Sequence, residues 1–297
     1  MALKGYLLSL RSKLQGLGCE LTDEKPIAYG VQIRVESAGQ QGLLRLYENK
    51  KGEIRVDFSQ IRDRDFAERL ARWIGVPDHP ATKDTLHIDG DLIGADESGK
   101  GDYFGPLVCA AVYVGSSQLG ALQSLGVRDS KALSNSAVLR LSCEIVDCCR
   151  GLFSVFELMP AEYNQRYAQV GNLNRLLAWS HAQSIQEVLR KVHVEQVVVD
   201  QFAAAALLER ELAGIDASIH LTQVPRAEAV PAVAAASILA RARYLRRMDE
   251  LSRQFELDLP KGAANGVLQA ARLFVKRYGR DELHRVAKLH FKTTGQI

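Results

Sequence analysis

The chain is 297 residues long, which is typical of about two domains. Its residues are 47% hydrophobic and 25% charged, as in an ordinary globular protein. This composition excludes a disordered, collagen-like or disulfide-dense chain. The net charge of +3 is uneven, because residues 85–239 hold 11 basic against 17 acidic residues and residues 240–297 hold 13 against 6. An acidic centre beside a basic end favours a metal site next to a polyanion-binding surface, although solvated helix faces also account for the charge alone.

The five cysteines are odd in number and include no CxxC pair, so the sequence predicts reduced thiols rather than a zinc site or a disulfide framework. No apolar stretch approaches the roughly 20 residues of a membrane helix, and no signal-peptide pattern is visible at the N-terminus. We therefore expect a cytoplasmic protein that does not enter a membrane.

The first predicted element is a helix, because five leucines recur at helical spacing from Leu3 to Leu17, before Gly18. A second helix is predicted at residues 63–74. Between the helices, apolar and polar residues alternate, which predicts strands and a hairpin at residues 31–35, 44–46 and 54–58. Residues 1–75 are therefore predicted to form a small α+β domain whose sheet leaves one face for a ligand or partner.

Residues 76–84 contain two prolines and no apolar periodicity, which predicts a linker. Residues 85–297 alternate strands with helices, which predicts an α/β domain with a mixed sheet. The predicted strands cover residues 86–95, 106–114, 152–158, 196–199 and 218–224. The predicted helices cover residues 135–149, 172–192, 203–213 and 228–254, followed by a helical tail at 266–290.

The segment from Gly94 to Leu107 reads GADESGKGDYFGPL, and the spacing of Gly94, Gly99 and Lys100 resembles most of a phosphate-binding P-loop. Three features argue against a P-loop. A glycine replaces the hydroxyl residue that binds magnesium, two carboxylates lie inside the loop, and an apolar strand follows where a helix should cradle the phosphate. A P-loop nucleotidase is therefore the least favoured interpretation.

The acids of the segment favour a different chemistry. Asp96 and Glu97 follow an apolar strand, and Asp200 closes the apolar strand 196–199. Adjacent residues inside a regular strand point to opposite faces, but at a strand end beside flexible glycines both are predicted to turn toward one site. Because magnesium and manganese prefer carboxylate oxygens, the three acids predict a divalent-metal site. The alternatives are a solvated turn for the Asp-Glu pair and a helix cap for Asp200.

At this segment the sequence resembles the type 2 ribonucleases H, and its Gly-Asp-Tyr-Phe-Gly-Pro ending is more similar to ribonuclease HIII than to ribonuclease HII. The resemblance covers about residues 85–297, because further matches follow in order: Asp129-Ser130-Lys131, Gly171–Asn174 with Leu177–Trp179, Val199-Asp200, Ala234–Arg241, Leu259–Ala263 and Lys288–Lys292. It implies a ribonuclease H-like mixed sheet flanked by helices. It also implies that residues 1–75 are the TATA-binding-protein-like, substrate-binding domain that ribonuclease HIII usually carries.

The resemblance implies an endoribonuclease that hydrolyses the RNA strand of RNA–DNA hybrids with Mg²⁺ or Mn²⁺, leaving 5′-phosphate and 3′-hydroxyl ends. Asp96, Glu97 and Asp200 would be the metal ligands, with Asp96 bridging two ions. Gly99-Lys100-Gly101 is the candidate reader of the 2′-hydroxyls, the alternative being a plain hairpin turn. Lys131 is a candidate phosphate contact, the alternative being an exposed loop lysine. Hybrid nucleic acid is the implied partner, no protein partner is inferred, and the resemblance suggests a monomer.

The sequence departs from the family pattern at the fourth acid. Ribonuclease HII carries it on the long helix, where this chain has Leu245, and ribonuclease HIII carries it shortly after the Leu-Pro-Lys-Gly-Ala segment, where residues 264–269 hold no acid. The fourth ligand is therefore unassigned. A site with three carboxylates is one possibility, and the candidate substitutes are Asn265, Gln269, Asp249 and Asp258. Two alternatives stay open: a hybrid-binding protein without activity, and ribonuclease HII-like cleavage at single embedded ribonucleotides.

Overall fold

The structure is a computed structural model that describes residues 2–49, 52–61, 63–75, 90–127, 130, 133–202, 205–213, 219–224 and 227–297. The chain divides into two compact units, Met1–Asp84 and Thr85–Ile297, and each has its own buried core. Within the described ranges, no helix is long and apolar enough to cross a membrane. The predicted linker at residues 76–84 lies outside the described residues.

The first unit is a four-stranded antiparallel sheet, with strands in sequence order, and two helices that share its core. Its elements are α1 (Ala2–Gln15), β1 (Glu20–Ile27), β2 (Gly30–Ser37), β3 (Gln40–Glu48), β4 (Ile54–Gln60) and α2 (Arg64–Ile74). Both predicted helices and the three predicted strands are confirmed. The sequence did not predict β1, because this edge strand is mostly exposed and lacks the alternation that a half-buried strand shows.

The second unit contains a mixed sheet, as predicted, and the sheet has five strands. Its elements are β5 (Leu92–Ser98), β6 (Leu107–Val114), α3 (Ser116–Ser124), α4 (Asn135–Cys149), β7 (Phe153–Leu158), α5 (Pro160–Val170), α6 (Leu173–Leu189), β8 (Gln196–Asp200), α7 (Ala205–Leu212), β9 (His220–Val224), α8 (Pro231–Gln254) and α9 (Asn265–Tyr278). The strand order is β7-β6-β5-β8-β9. Strands β7, β6 and β5 run antiparallel, whereas β5, β8 and β9 run parallel.

Helices cover both faces of this sheet. Strand β6 is buried along its whole length, and successive residues face opposite layers. Val108 and Ala110 belong to the core beneath α8, whereas Ala111 belongs to the core beneath α6. A strand buried on both faces reads as a continuous apolar run, as residues 107–114 do. The central strands are therefore held between α6 and α8, and each layer contributes side chains to the acidic site described below.

The predicted helical tail at residues 266–290 was too long. Helix α9 ends at Tyr278, where Gly279 leaves the helix with a φ of 92°. A positive φ is readily adopted by glycine, so this residue is a natural helix stop. Two short 3-10 turns follow, Asp281–Arg285 and Lys292–Gln296. The chain beyond α9 is thus an irregular segment that packs back on the domain.

Gly94 allows β5 to approach α8 closely. A Cβ atom at this position would lie 2.3 Å from the backbone of Ala232 and Val233 in the first turn of α8. Because the helix backbone cannot move alone, we expect Gly94→Ala to lower the free energy of unfolding by about 2–3 kcal/mol, as overpacked cores do. Urea denaturation measures this change. The control is Gly120→Ala, in α3, where no atom lies within 4 Å and alanine favours the helix. Equal stability of the Gly94 variant and the parent protein would contradict this role.

Candidate active site

Three acidic side chains come from two neighbouring central strands. Asp96 and Glu97 belong to β5, and Asp200 is the last residue of the parallel strand β8. The register pairs Ala95 with Val199, so Asp96 and Asp200 lie one residue further along each strand. Asp96 is only 8% exposed, and the Glu97 side chain is only 12% exposed. The structure thus brings the three predicted acids to one region of the sheet.

The predicted position of the strand end was wrong. Strand β5 continues through both acids to Ser98, with Asp96 opposite Ala110 and Glu97 opposite Cys109 on β6. Inside a strand, neighbouring side chains alternate between faces. Asp96 accordingly faces Ser237 of α8, whose hydroxyl acts to lower the pKa of its carboxyl group, and Glu97 contacts α6. The two acids are therefore oriented by different helices, and the glycines after them do not turn them toward one point.

One oxygen of each acid is held by a donor of the protein. The backbone N–H of Glu97 donates to Oδ1 of Asp96 at 2.7 Å. Nε2 of His181 lies 3.0 Å from Oε2 of Glu97. The backbone N–H of Ala227 donates to Oδ1 of Asp200 at 3.0 Å. These bonds restrict the orientation of all three carboxyl groups, as hydrogen bonds to metal ligands do.

The electrostatics of the two β5 acids differ. Burial, followed by the charge of Glu97 and to a lesser extent Asp200, raises the pKa of Asp96 from 3.8 to about 7, against the hydrogen bonds that lower it. Burial also acts to raise the pKa of Glu97, but the hydrogen bond from His181 and the ammonium of Lys100 leave it below its ordinary value. Of these two acids, Asp96 is thus the one whose negative charge the protein compensates less.

The chemistry of these donors suits a hard divalent cation. The donor set offers carboxylate oxygens, and their mutual repulsion at Asp96 is the feature that a bound cation relieves. Over the described part of the chain, no three His, Cys, Asp or Glu side chains are already grouped around a point that could hold an ion. Asp96, Glu97 and Asp200 would therefore hold a cation only after local side-chain adjustment.

The loop after β5 begins with a constrained glycine. Gly99 has a φ of 88°, and a Cβ atom there would lie 2.1 Å from the carbonyl oxygen of Pro106. Gly101 has no atom within 4 Å of such a position and is open. Between them, Nζ of Lys100 lies 3.3 Å from Oε1 of Glu97. The three predicted substrate-reading residues therefore lie beside the acids, with Gly99 also required by the turn itself.

Ser130, the described residue of the Asp129-Ser130-Lys131 match, is anchored near the acids. Oγ of Ser130 hydrogen-bonds Oγ of Ser237 at 2.8 Å, and Ser237 is also the α8 partner of Asp96. The guanidinium of Arg241 donates to the carbonyl oxygen of Ser130. Lys131 lies outside the described residues. Ser130 is thus joined to α8 beside the acidic site.

Comparison with known proteins identifies the family. The ribonuclease HII family profile matches residues 93–294. Ribonuclease HIII of Protochlamydia amoebophila (strain UWE25) is 41% identical over 219 residues, 74% of this chain and 71% of the relative. The chain belongs to the ribonuclease HIII family. It is therefore a ribonuclease H, a hydrolase of the nuclease class.

Solved structures agree with this membership. Bst-RNase HIII in complex with Mn²⁺ is 29% identical, with a TM-score of 0.66 over 98% of this chain and 94% of that chain. The ribonuclease H2 of Pyrococcus horikoshii OT3 has a TM-score of 0.61 at 21% identity, and the match covers 69% of this chain and 96% of that chain. The second similarity shows the fold alone. The ribonuclease HIII match, unlike the ribonuclease H2 match, extends over nearly the whole chain.

The structure does not supply the fourth acid at the positions considered for this ribonuclease HIII. Leu245 packs against the core of the second unit. Asp249 is exposed and pairs with Arg253 at 2.6 Å, about 18 Å along α8 from Ser237. Asp258 and Gln269 are exposed, and the side chain of Asn265 lies outside the described residues. None of the four described side chains contributes to the acidic site in this structure.

Sequence reasoning missed His181 and did not predict the burial of Lys288, which lies in the matched segment Lys288–Lys292. His181 contacts Glu97 from α6, and the only signal was a histidine within an apolar helical stretch. Lys288 is completely buried and donates from Nζ to the carbonyl oxygens of Asp102 at 2.9 Å and Gly105 at 2.7 Å. Burial lowers the pKa of Lys288 to about 7, although Asp102 acts in the opposite direction. Lys288 thus anchors the loop after β5 to the C-terminal segment.

Proposed function

We propose that this ribonuclease HIII hydrolyses the RNA strand of RNA–DNA hybrids with Mg²⁺ or Mn²⁺, leaving 5′-phosphate and 3′-hydroxyl ends. The observation that carries the proposal is the group of three acids on adjacent strands, in which Asp96 is buried and has a pKa of about 7. The surrounding protein groups alone do not balance the negative charge of these carboxyl groups. The Mn²⁺ complex of Bst-RNase HIII supports a divalent cation as the missing partner.

In the proposed mechanism, Asp96, Glu97 and Asp200 would hold the divalent cations. Bound divalent ions supply activation of water and stabilisation of charge on the scissile phosphate and the leaving 3′-oxygen. The protein's own task is to orient the acids, through Ser237 on one face of the sheet and His181 on the other. No nucleophilic side chain is required.

Substrate selection is proposed to rest on the loop after β5. Gly101 is exposed and leaves room for a sugar-phosphate backbone to approach closely, while Lys100 can meet a phosphate. Backbone groups at such a loop can recognise the 2′-hydroxyls that distinguish RNA from DNA. Lys131 is proposed as a further phosphate contact. Tyr103 and Phe104 are completely buried and pack in the core, so they take no part in stacking on bases.

The test uses end-labelled duplexes incubated with Mg²⁺, with Mn²⁺ and with chelator. Metal-dependent cutting of the RNA strand in a full hybrid, with 5′-phosphate ends, is the expected result. A parallel DNA duplex with one embedded ribonucleotide is expected to be cut poorly. Preferential cutting at the single ribonucleotide would instead assign a ribonuclease HII-like specificity.

The absence of an acid at the two expected fourth positions favours one other function, a protein that binds hybrids without cleaving them. That protein would bind the same duplexes in a salt-sensitive manner. It would give no product under either metal. The same assay, together with a binding measurement, therefore separates the two functions.

Residues 1–75 are proposed to bind the hybrid. The two helices share a core with one face of the first sheet, and the opposite face carries Arg34, Arg45 and Arg55. Arginines on an open sheet face suit contact with phosphates. The first unit would thus contribute to the affinity for the hybrid rather than to the cleavage reaction.

Deleting residues 1–84 is expected to raise the Michaelis constant for a hybrid at least about tenfold and to change the rate at saturating hybrid by less than about threefold. Because fewer phosphates are neutralised, the salt dependence of binding should become shallower. A full-length variant with the three arginines changed to glutamine controls for an effect of truncation on folding. An unchanged Michaelis constant in both proteins would remove the binding role.

A further inference from the structure

His181 is the most deeply buried polar contact of the acidic site. It lies in the middle of α6, its side chain is 0% exposed, and its Nε2 atom is 3.0 Å from Oε2 of Glu97. The two residues are 84 positions apart in the chain, and they meet because α6 packs on the face of β5 to which Glu97 points. The contact is thus a product of the fold.

The other ring nitrogen of His181 has no comparable contact. Nδ1 is buried and has no hydrogen-bond partner among the described residues. Within the described part of the chain, Glu97 is therefore the hydrogen-bond partner of the ring. Because a carboxylate oxygen accepts, Nε2 carries the hydrogen of this bond.

The ring is also held from the side. It stacks on Phe202 with ring centroids 4.8 Å apart and ring planes 10° from parallel. Phe202 lies two residues after Asp200, the acid of β8. His181 therefore contacts both the acid on β5 and the segment that follows the acid on β8.

We propose that His181 is a positioning residue, which orients Glu97 as a cation ligand through its Nε2–H donor and is itself held in place by Phe202. This inference rests on the proposed function, because it concerns the same acids. It gives α6 a role in the metal site, and this role is not visible in the sequence motif around Asp96. The cation ligands remain the three acids, and His181 acts on them through Glu97.

Two substitutions test the hydrogen-bond donor and the aromatic ring of His181 separately. His181→Phe keeps an aromatic ring on Phe202 and removes the donor, whereas His181→Gln loses the ring and keeps an amide N–H near the Nε2 position. Loss of a residue that orients a metal ligand typically weakens metal binding 10–100-fold. We expect that weakening for Mn²⁺ in the phenylalanine variant and less than about a threefold change in the glutamine variant.

Mn²⁺ binding to the full-length protein, measured by titration with electron paramagnetic resonance detection of free Mn²⁺, is the primary readout. Thermal unfolding and circular dichroism check that each variant is folded, and His220→Gln, on the exposed surface of β9, is the matched control. The proposal is overturned if the phenylalanine variant binds Mn²⁺ like the parent, or if both variants lose binding equally. Hybrid cleavage is measured separately, so a parent protein that binds Mn²⁺ but cuts no hybrid overturns the proposed function and not the role of His181.

Discussion

Asp96→Asn is expected to reduce cleavage of an RNA–DNA hybrid by at least about 1000-fold, because a ligand that contributes several kcal/mol of charge stabilisation is lost. The substitution retains the shape of the side chain. The amide oxygen can still accept the N–H of Glu97, and the contact with Ser237 can persist. Binding of the hybrid, which depends on other groups, should change little.

Single-turnover rates at saturating Mg²⁺ measure the chemical step, and fluorescence anisotropy with chelator present measures hybrid binding. Asp249→Asn is the matched control, because Asp249 is an exposed acid on α8 that pairs with Arg253. Its activity should equal that of the parent, which would also exclude it as a substitute fourth ligand. If Asp96→Asn keeps most of the activity, the acidic cluster is not the centre of the reaction.

The regular elements were predictable wherever local periodicity and burial agree. Helices α4, α6 and α8 and strands β6 to β8 were found from apolar patterns, because each faces a layer of the core. The mixed sheet followed from the alternation of strands and helices. Strand β1 and helices α3 and α5 were missed. Strand β1 is mostly exposed, and α3 buries only Leu122 along its length. The sequence of each element therefore shows only a weak apolar pattern.

The acids themselves were predictable, but their surroundings were not. Asp96, Glu97 and Asp200 stand next to apolar strands, and the local pattern is enough to single them out. The direction of each side chain depends on where the strand ends and on which helix covers each face. His181 reaches Glu97, and Lys288 reaches the loop after β5, from elements far away in the chain, and no local signal records such contacts. Long-range packing therefore decides how the three acids are oriented, while the local sequence marks only their positions next to the strands.

Cleavage at low metal concentration is expected to rise as the pH increases through about 7, the pKa of Asp96. Below that pH the carboxyl group is protonated and is a poor ligand for a cation. Metal and proton compete for the same oxygen atoms, so a tenfold increase in Mg²⁺ should move the midpoint toward lower pH by up to about one unit. Rates measured from pH 5.5 to 8.5 at two Mg²⁺ concentrations provide the test. A midpoint that does not move with Mg²⁺ would mean that the titrating group is not a ligand.

The same pKa predicts the opposite trend for stability when chelator removes the metal. The folded protein binds the proton of Asp96 more tightly than the unfolded chain does, because the pKa is raised from 3.8 to about 7. This stabilisation is present below pH 4 and is lost as the pH rises through 7.

Asp96→Asn removes the ionisable group. Between pH 4 and pH 8, the variant should therefore gain about 2–4 kcal/mol in free energy of unfolding relative to the parent. Urea denaturation at the two pH values measures the difference, and added Mg²⁺ should restore stability to the parent alone. An acid that the fold tolerates only with a cation beside it is the physical signature of a ligand, and this pair of measurements detects it without any assay of cleavage.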